Sequence, residues 1–155
     1  MIYEYMICQN NDKTVYLKPV KEIDIDPEIF EDTDSIYILK RFYHIDESDV
    51  EMSFVIALDS ENHPIAVYRL GIGDYSSVGL HERTTAIFSL LSGARSFMIC
   101  HNHPGGNPFS SDADNINKRR MKVLSDLIEV ELNGSYIITK FGWCEIDSNT
   151  INYWE

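Results

Sequence analysis

Two short apolar runs constrain the fold of this chain more than any other feature. They are Phe54–Leu58 and Ser96–Cys100, and continuous apolar stretches of this length predict buried β-strands. Ile65–Leu70 follows the first run after a turn and predicts its antiparallel partner strand. Arg83–Leu91 predicts a helix that ends just before a glycine. Buried strands that alternate with helices indicate a sheet on which helices pack.

The other patterned segments predict two hairpins and two further helices. The hairpins are Met1–Gln9 with Thr14–Lys18 and Ser135–Lys140 with Trp143–Ile146; the helices are Ser35–His44 and Asp112–Glu131, the latter with Ile116, Val123, Leu124 and Leu127 on one side. From Phe54 onward the predicted order is β-β-α-β-α-β-β. This order favours an α+β (mixed α/β) domain in which helices flank a central mixed sheet.

Length, charge and cysteine content limit the classes of function. The 155 residues suit one globular unit, with an N-terminal hairpin and acidic segment (1–34) packed on the main domain (35–155). The formal net charge of -12 opposes strong non-specific binding to nucleic acid. Three cysteines form no disulfide framework, and neither a signal peptide nor a membrane-spanning apolar run is present. We therefore expect a cytoplasmic protein that does not bind membranes; its oligomeric state is left open.

The stretch after the second apolar run carries the chemistry. His101 and His103 are two residues apart, so in an extended chain they point to the same side. A glycine- and proline-rich loop follows, and then Ser111 and Asp114 stand where a helix should begin. Two imidazoles and one carboxylate are a ligand set that suits Zn²⁺ with one open position. The alternative is purely structural, because Ser-x-x-Asp also resembles a helix capping box.

These residues resemble the RadC-like JAB/MPN (JAMM) metallohydrolase signature. The resemblance is carried by His101–Pro104, by the loop Gly105–Pro108, and by Ser111 and Asp114. It extends to Phe54–Asp59, Gly73–Ser77 and Leu127–Ile146. It implies a central mixed sheet layered as in the cytidine deaminases. It also implies that His101, His103 and Asp114 bind zinc, and that Ser111 hydrogen-bonds the bound water or the developing oxyanion.

The resemblance fails at one catalytic position. The family pattern implies a glutamate base at the start of the first helix, where RadC-like members typically read His-Pro-Arg-Glu. This chain reads His-Glu-Arg-Thr, with Thr84 in the glutamate position and Glu82 two residues earlier. Glu82 serves as the base if the chain is extended there. If the helix has already begun, Glu82 lies about 200° away around the axis and complements the helix dipole instead.

Three functions follow as hypotheses. The first is a zinc-dependent metallopeptidase that hydrolyses a peptide, amide or isopeptide bond in a peptide or protein substrate, with Glu82 and Ser111 as catalytic residues. The second is a non-catalytic JAB-fold binding module that lacks a working base. The third is a metal-dependent nuclease or phosphodiesterase linked to DNA repair. Larger RadC proteins carry a helix-hairpin-helix DNA-binding domain, for which 155 residues leave no room.

Overall fold

The computed structural model describes residues 1–73 and 81–155 of the chain. Residues 74–77 of the stretch Gly73–Ser77, which contributes to the resemblance, lie outside the described residues. The strands of the described part are β1 (Ile2–Gln9), β2 (Val15–Ile23), β3 (Met52–Leu58), β4 (Pro64–Ile72), β5 (Ser96–Asn102), β6 (Glu131–Ile138), β7 (Gly142–Glu145) and β8 (Asn152–Tyr153). The helices are α1 (Ile36–Tyr43), α2 (His81–Leu91) and α3 (Asp112–Ile128), and short 3-10 turns cover Pro27–Ile29 and Thr33–Ser35.

The strands form one mixed sheet in the order β2-β1-β4-β3-β5-β6-β7-β8. Strand β1 pairs in parallel with β4, and β5 pairs in parallel with β6, whereas the other neighbours are antiparallel. The N-terminal hairpin is therefore an integral part of the sheet rather than an appendage. This mixed sheet with three helices confirms the predicted α+β class.

Strands β3 and β5 are buried along their whole length, as their apolar sequences predict. Alternate side chains of β3 enter two separate clusters. Phe54 packs with residues of α1 on one face, and Val55 packs with Phe88 of α2 and Met121 of α3 on the other. The sheet thus lies between α1 and the α2–α3 pair. Each fully buried side chain of this size contributes about 1.5–3 kcal/mol.

Of the apolar side predicted for α3, only Leu124 packs against the core. Val123 and Leu127 are 60% and 77% exposed, and the buried residues of the helix are Asp114, Met121 and Ser125. The helix also ends three residues earlier than expected, because Glu129 adopts a left-handed conformation at the C-cap. The Ser125 hydroxyl accepts a hydrogen bond from the Leu132 amide, so a polar contact occupies a position that periodicity assigns to solvent.

Within the described part of the chain, no helix combines the length and the apolar character needed to cross a bilayer. The longest, α3, carries charged residues along its middle.

Candidate metal centre

The end of β5 places the two histidines on the α2–α3 face of the sheet. His101 is buried and lies opposite Ser53 in the antiparallel pairing with β3. His103 follows the strand, and its amide still donates to the carbonyl of Ile138 on β6 at 3.0 Å. Because strand geometry persists through this bond, both imidazoles project to the same side. The strand pairing therefore fixes two of the predicted ligands.

The N-terminus of α3 brings in the carboxylate. The Ser111 amide donates to Asp114 Oδ2 at 2.9 Å, and the Asp114 amide donates to Ser111 Oγ at 3.2 Å. This is a reciprocal capping box. The metal-site and capping interpretations of Ser-x-x-Asp are thus compatible, since the cap fixes the Asp114 side chain beside the histidines. Asp114 is buried although it is charged.

The three side chains converge on one point. His101 Nε2 lies 3.1 Å from His103 Nε2, and the nearest Asp114 oxygens lie 3.0 Å from His101 Nε2 and 3.2 Å from His103 Nε2. Ligands of a tetrahedral ion at about 2.0–2.1 Å stand roughly 3.3 Å apart. Among the described residues, the group of potential metal ligands consists of these three side chains. Their donor types and spacing fit a divalent cation such as zinc.

The electrostatics of the group show how tightly it is coupled. Burial opposes ionisation of Asp114, but hydrogen bonds from both imidazoles outweigh it and hold the pKa of this carboxyl well below its usual range. Burial also lowers the pKa of His103, but its bonds to Asp114 and to the Asn107 carbonyl, with the charges of Asp114 and Glu51, raise it overall. The contact between the His103 ring and the Asp114 carboxylate therefore favours the charged form of each group.

The loop 103–107 fixes the orientation of His103. Its Nδ1 donates to the carbonyl of Asn107 at 2.8 Å, and its carbonyl accepts from the Gly106 amide at 2.9 Å. With Nδ1 carrying a hydrogen, the neutral ring has its lone pair on Nε2, the nitrogen that faces the candidate metal position. Metal-binding histidines usually donate their second ring nitrogen in this way. The loop thus supplies an outer contact that supports the metal-site interpretation.

A second carboxylate near the histidines, that of Glu51, was missed by the sequence-based reasoning. Continuing the β3–β5 register beyond Ser53 and His101 places Glu51 opposite His103, on the same face of the sheet. The charge of Glu51 acts on His103, which agrees with this placement. Its position immediately before the apolar β3 run, which pairs with the histidine strand, is the signal that could have identified it.

Asn102 fixes the backbone on both sides of Glu51. Its side chain is buried; Oδ1 accepts from the Met52 amide at 2.6 Å and Nδ2 donates to the Val50 carbonyl at 3.0 Å. The Glu51 carbonyl accepts from the Gly73 amide at 2.7 Å. The residue between the two histidines thus holds the segment that carries the additional carboxylate.

Glu82, the base predicted from the sequence, lies in the first turn of α2. Its carboxylate pairs with Arg120 of α3, with Oε1 2.5 Å from Nε and Oε2 3.1 Å from Nη2. The helix has already begun at residue 81, so Glu82 and Thr84 point in different directions from its axis. The structure does not bring Glu82 into the His101–His103–Asp114 group; its role as a base stays a prediction.

Comparison with known proteins agrees with the site. Residues 31–149 match the family model described as the RadC-like JAB domain. The chain is 32% identical over 116 residues to a UPF0758 protein of Neisseria meningitidis serogroup B, covering 75% of this chain and 51% of that protein. A UPF0758 protein of Neisseria gonorrhoeae is 32% identical over 121 residues, with 77% and 53% covered. The chain spans about half the length of these relatives. The chain belongs to the RadC-like JAB domain family.

Proposed function

We propose that this chain is a zinc-dependent hydrolase that cleaves peptide, amide or isopeptide bonds in peptide or protein substrates. The observation that carries the proposal is the convergence of two imidazole nitrogens and one carboxylate within hydrogen-bonding distance of one another. Two nitrogens and one oxygen are a donor set that zinc uses in hydrolytic sites with an open position. The three free cysteines are compatible with the reducing cytoplasm as its location.

His101, His103 and Asp114 would hold the metal, and the surrounding contacts orient them. When bound, zinc supplies a Lewis acid that polarises a carbonyl and lowers the pKa of a water. The Asn107 carbonyl keeps the lone pair of His103 on Nε2. The Ser111 amide holds Asp114 Oδ2, which keeps the carboxylate ionised. The Ser111 hydroxyl accepts from the Asp114 amide, so its own hydrogen is available to a developing oxyanion.

We assign the general base to Glu51 rather than to Glu82. Extending the β3–β5 register puts the Glu51 side chain on the face of the sheet that carries the histidines, and the Asn102 side chain holds the backbone on both sides of Glu51. A carboxylate there can take a proton from the attacking water and return it to the leaving amine. The carboxylate of Glu82 is occupied by Arg120. Thr84, where the sequence resemblance implies a glutamate, has no group that accepts a proton at neutral pH.

A non-catalytic metal-binding module is the second candidate. It is favoured by the pairing of Glu82 with Arg120 and by threonine at position 84. If neither Glu51 nor Glu82 reaches the reacting water, the fold keeps a metal site without a base. The two candidates differ in one measurable property, the hydrolysis of amide bonds by the zinc-loaded protein.

The test compares Glu51→Gln with Glu82→Gln, and with the exposed Glu61→Gln as a matched control on the β3–β4 turn. Hydrolysis of a quenched peptide and isopeptide panel should fall by about 10²- to 10⁴-fold in Glu51→Gln. Zinc content should stay near one ion per chain in all three variants, and the control should match the wild type. A zinc-loaded wild type that cleaves none of the panel would favour the non-catalytic module.

A further inference from the structure

An exposed aromatic ring stands beside the candidate metal centre. Phe141 lies at the tip of the β6–β7 turn and is 56% exposed. Its ring packs against Gly106 in the loop 103–107. Phe141 Cε2 lies only 3.3 Å from the position that a Cβ atom at Gly106 would occupy. Gly106 in turn donates its amide to the His103 carbonyl. A single residue thus separates the ring from one of the candidate metal ligands.

The turn that carries this ring is held on both sides. The Thr139 amide donates to the Gly142 carbonyl at 2.8 Å, and the Trp154 amide donates to the Phe141 carbonyl at 3.1 Å. The Trp154 indole donates to the Thr139 carbonyl at 2.9 Å. The Phe141 backbone is therefore fixed while its side chain faces solvent. An aromatic side chain on a fixed backbone loses little conformational entropy when a ligand covers it.

A cation accompanies the ring. Lys140 Nζ lies 5.2 Å from the centre of the Phe141 ring, and among the described residues Lys140 forms no ion pair. The chain has a formal net charge of -12, so an anionic ligand would be repelled by most of the surface. Lys140 is a local exception at the edge of the candidate centre.

We propose that Lys140 and Phe141 form a substrate subsite for a peptide segment that carries an aromatic or large apolar side chain next to a carboxylate. The aromatic group would pack on Phe141, and the carboxylate would pair with the Lys140 ammonium. This inference rests on the proposed hydrolase function, because the subsite gains its meaning from the neighbouring metal centre. It names the substrate class for that centre.

The test measures binding separately from cleavage. The probes are two capped tetrapeptides, Ala-Phe-Asp-Ala and Ala-Ser-Asn-Ala, titrated into the zinc-loaded protein and followed by heteronuclear NMR. The first should bind at least about tenfold more tightly and shift the amide signals of Gly106, Lys140 and Phe141. Phe141→Ala should lose about tenfold in affinity. The exposed Tyr16→Ala on edge strand β2 is the matched control and should bind like the wild type.

A charge reversal gives a second arm that does not depend on the aromatic variant folding. Lys140→Glu should weaken binding of the Phe-Asp peptide and prefer a Phe-Lys peptide, with both effects shrinking at high salt. Equal affinity for the two original peptides, or unchanged preferences in both variants, would overturn the subsite. If the Phe-Asp peptide binds as expected but a quenched version is not cleaved, the subsite stands and the hydrolase proposal fails. If the protein cleaves peptides but cleavage does not depend on Phe141 or Lys140, the hydrolase proposal stands and the subsite fails.

Discussion

Replacing Asp114 with Asn separates the two roles of this side chain, in the helix cap and in the candidate metal site. The amide oxygen of Asn can still accept from the Ser111 amide, so the helix cap survives. The negative charge between the imidazoles is lost, and the amide group is a poor zinc ligand. We therefore expect the variant to fold, to be less stable without metal, and to lose most of its response to zinc.

The magnitudes follow from the geometry and from linkage. Free zinc at one hundred times its Kd adds about 2.7 kcal/mol of stability to the wild type. For a domain of this length each kcal/mol moves Tm by about 2–4 °C, so zinc should raise the wild-type Tm by roughly 5–11 °C. In the metal-free variant, loss of the charge-assisted bonds from His101 and His103 costs about 1.5–3 kcal/mol.

Asp112→Asn is the matched control, because Asp112 is an exposed carboxylate in the same helical turn outside the ligand group. It should lose only about 0.3–1 kcal/mol of helix-dipole stabilisation and keep the full zinc response. Thermal melts with and without zinc, together with elemental analysis, measure all three proteins. The ligand assignment would be refuted by an Asp114→Asn protein that keeps both the wild-type zinc shift and one bound ion.

Four further outcomes are expected. Glu82→Gln should change the unfolding free energy by no more than about 1 kcal/mol, because its bridge to Arg120 is partly exposed; a 10²-fold loss of hydrolysis would return the base to Glu82. Glu4→Gln should lower Tm, because the buried Glu4 carboxylate accepts from Tyr43 and lies beside Arg69; an unchanged Tm would contradict this. Gel-shift titration should give weak, salt-sensitive binding to duplex DNA, and tight binding at physiological salt would favour a nuclease. The pKa of His103 is raised on folding, so protonation of this ring stabilises the metal-free protein fully below the unfolded pKa of about 6.5. That stabilisation is lost as the pH rises through the higher folded pKa. The zinc-induced Tm shift, which needs the neutral ring, should grow over the same pH range.

The parts of the structure that the sequence predicts well are those determined by residues close together in the chain. The apolar runs of β3 and β5 predicted strands because a stretch buried on both faces must be apolar throughout. The ligand group was predicted because His101, His103 and Asp114 lie within one strand, one loop and one helical turn. Their convergence needs no knowledge of distant segments. The Ser111 cap also follows from four consecutive residues.

The parts that were missed depend on tertiary contacts. Glu51 is placed opposite His103 only by the β3–β5 pairing, which joins residues about 50 positions apart and has no local signature. The inner face of α3 was mispredicted because Met121 and Ser125 face the sheet while the more apolar Val123 faces solvent. Two residues along a helix turn the face by roughly 200°, so the choice between the two stripes depends on Asp114 having to reach the histidines.

The β3–β5 pairing explains how the site could work with threonine at position 84. A base on α2 would depend on how that helix packs, whereas Glu51 is coupled to the histidines through the ladder that also fixes His101. On the proposed mechanism, the hydrogen bonds of Asn102 to the backbone beside Glu51 hold the base and the two histidines in one rigid unit. The proposed mechanism then needs no carboxylate on α2. Asn102→Ala should lower the rate of hydrolysis although Asn102 binds neither metal nor substrate, because the Met52 amide and the Val50 carbonyl lose their hydrogen-bond partner. Activity in that variant should fall while zinc content is retained.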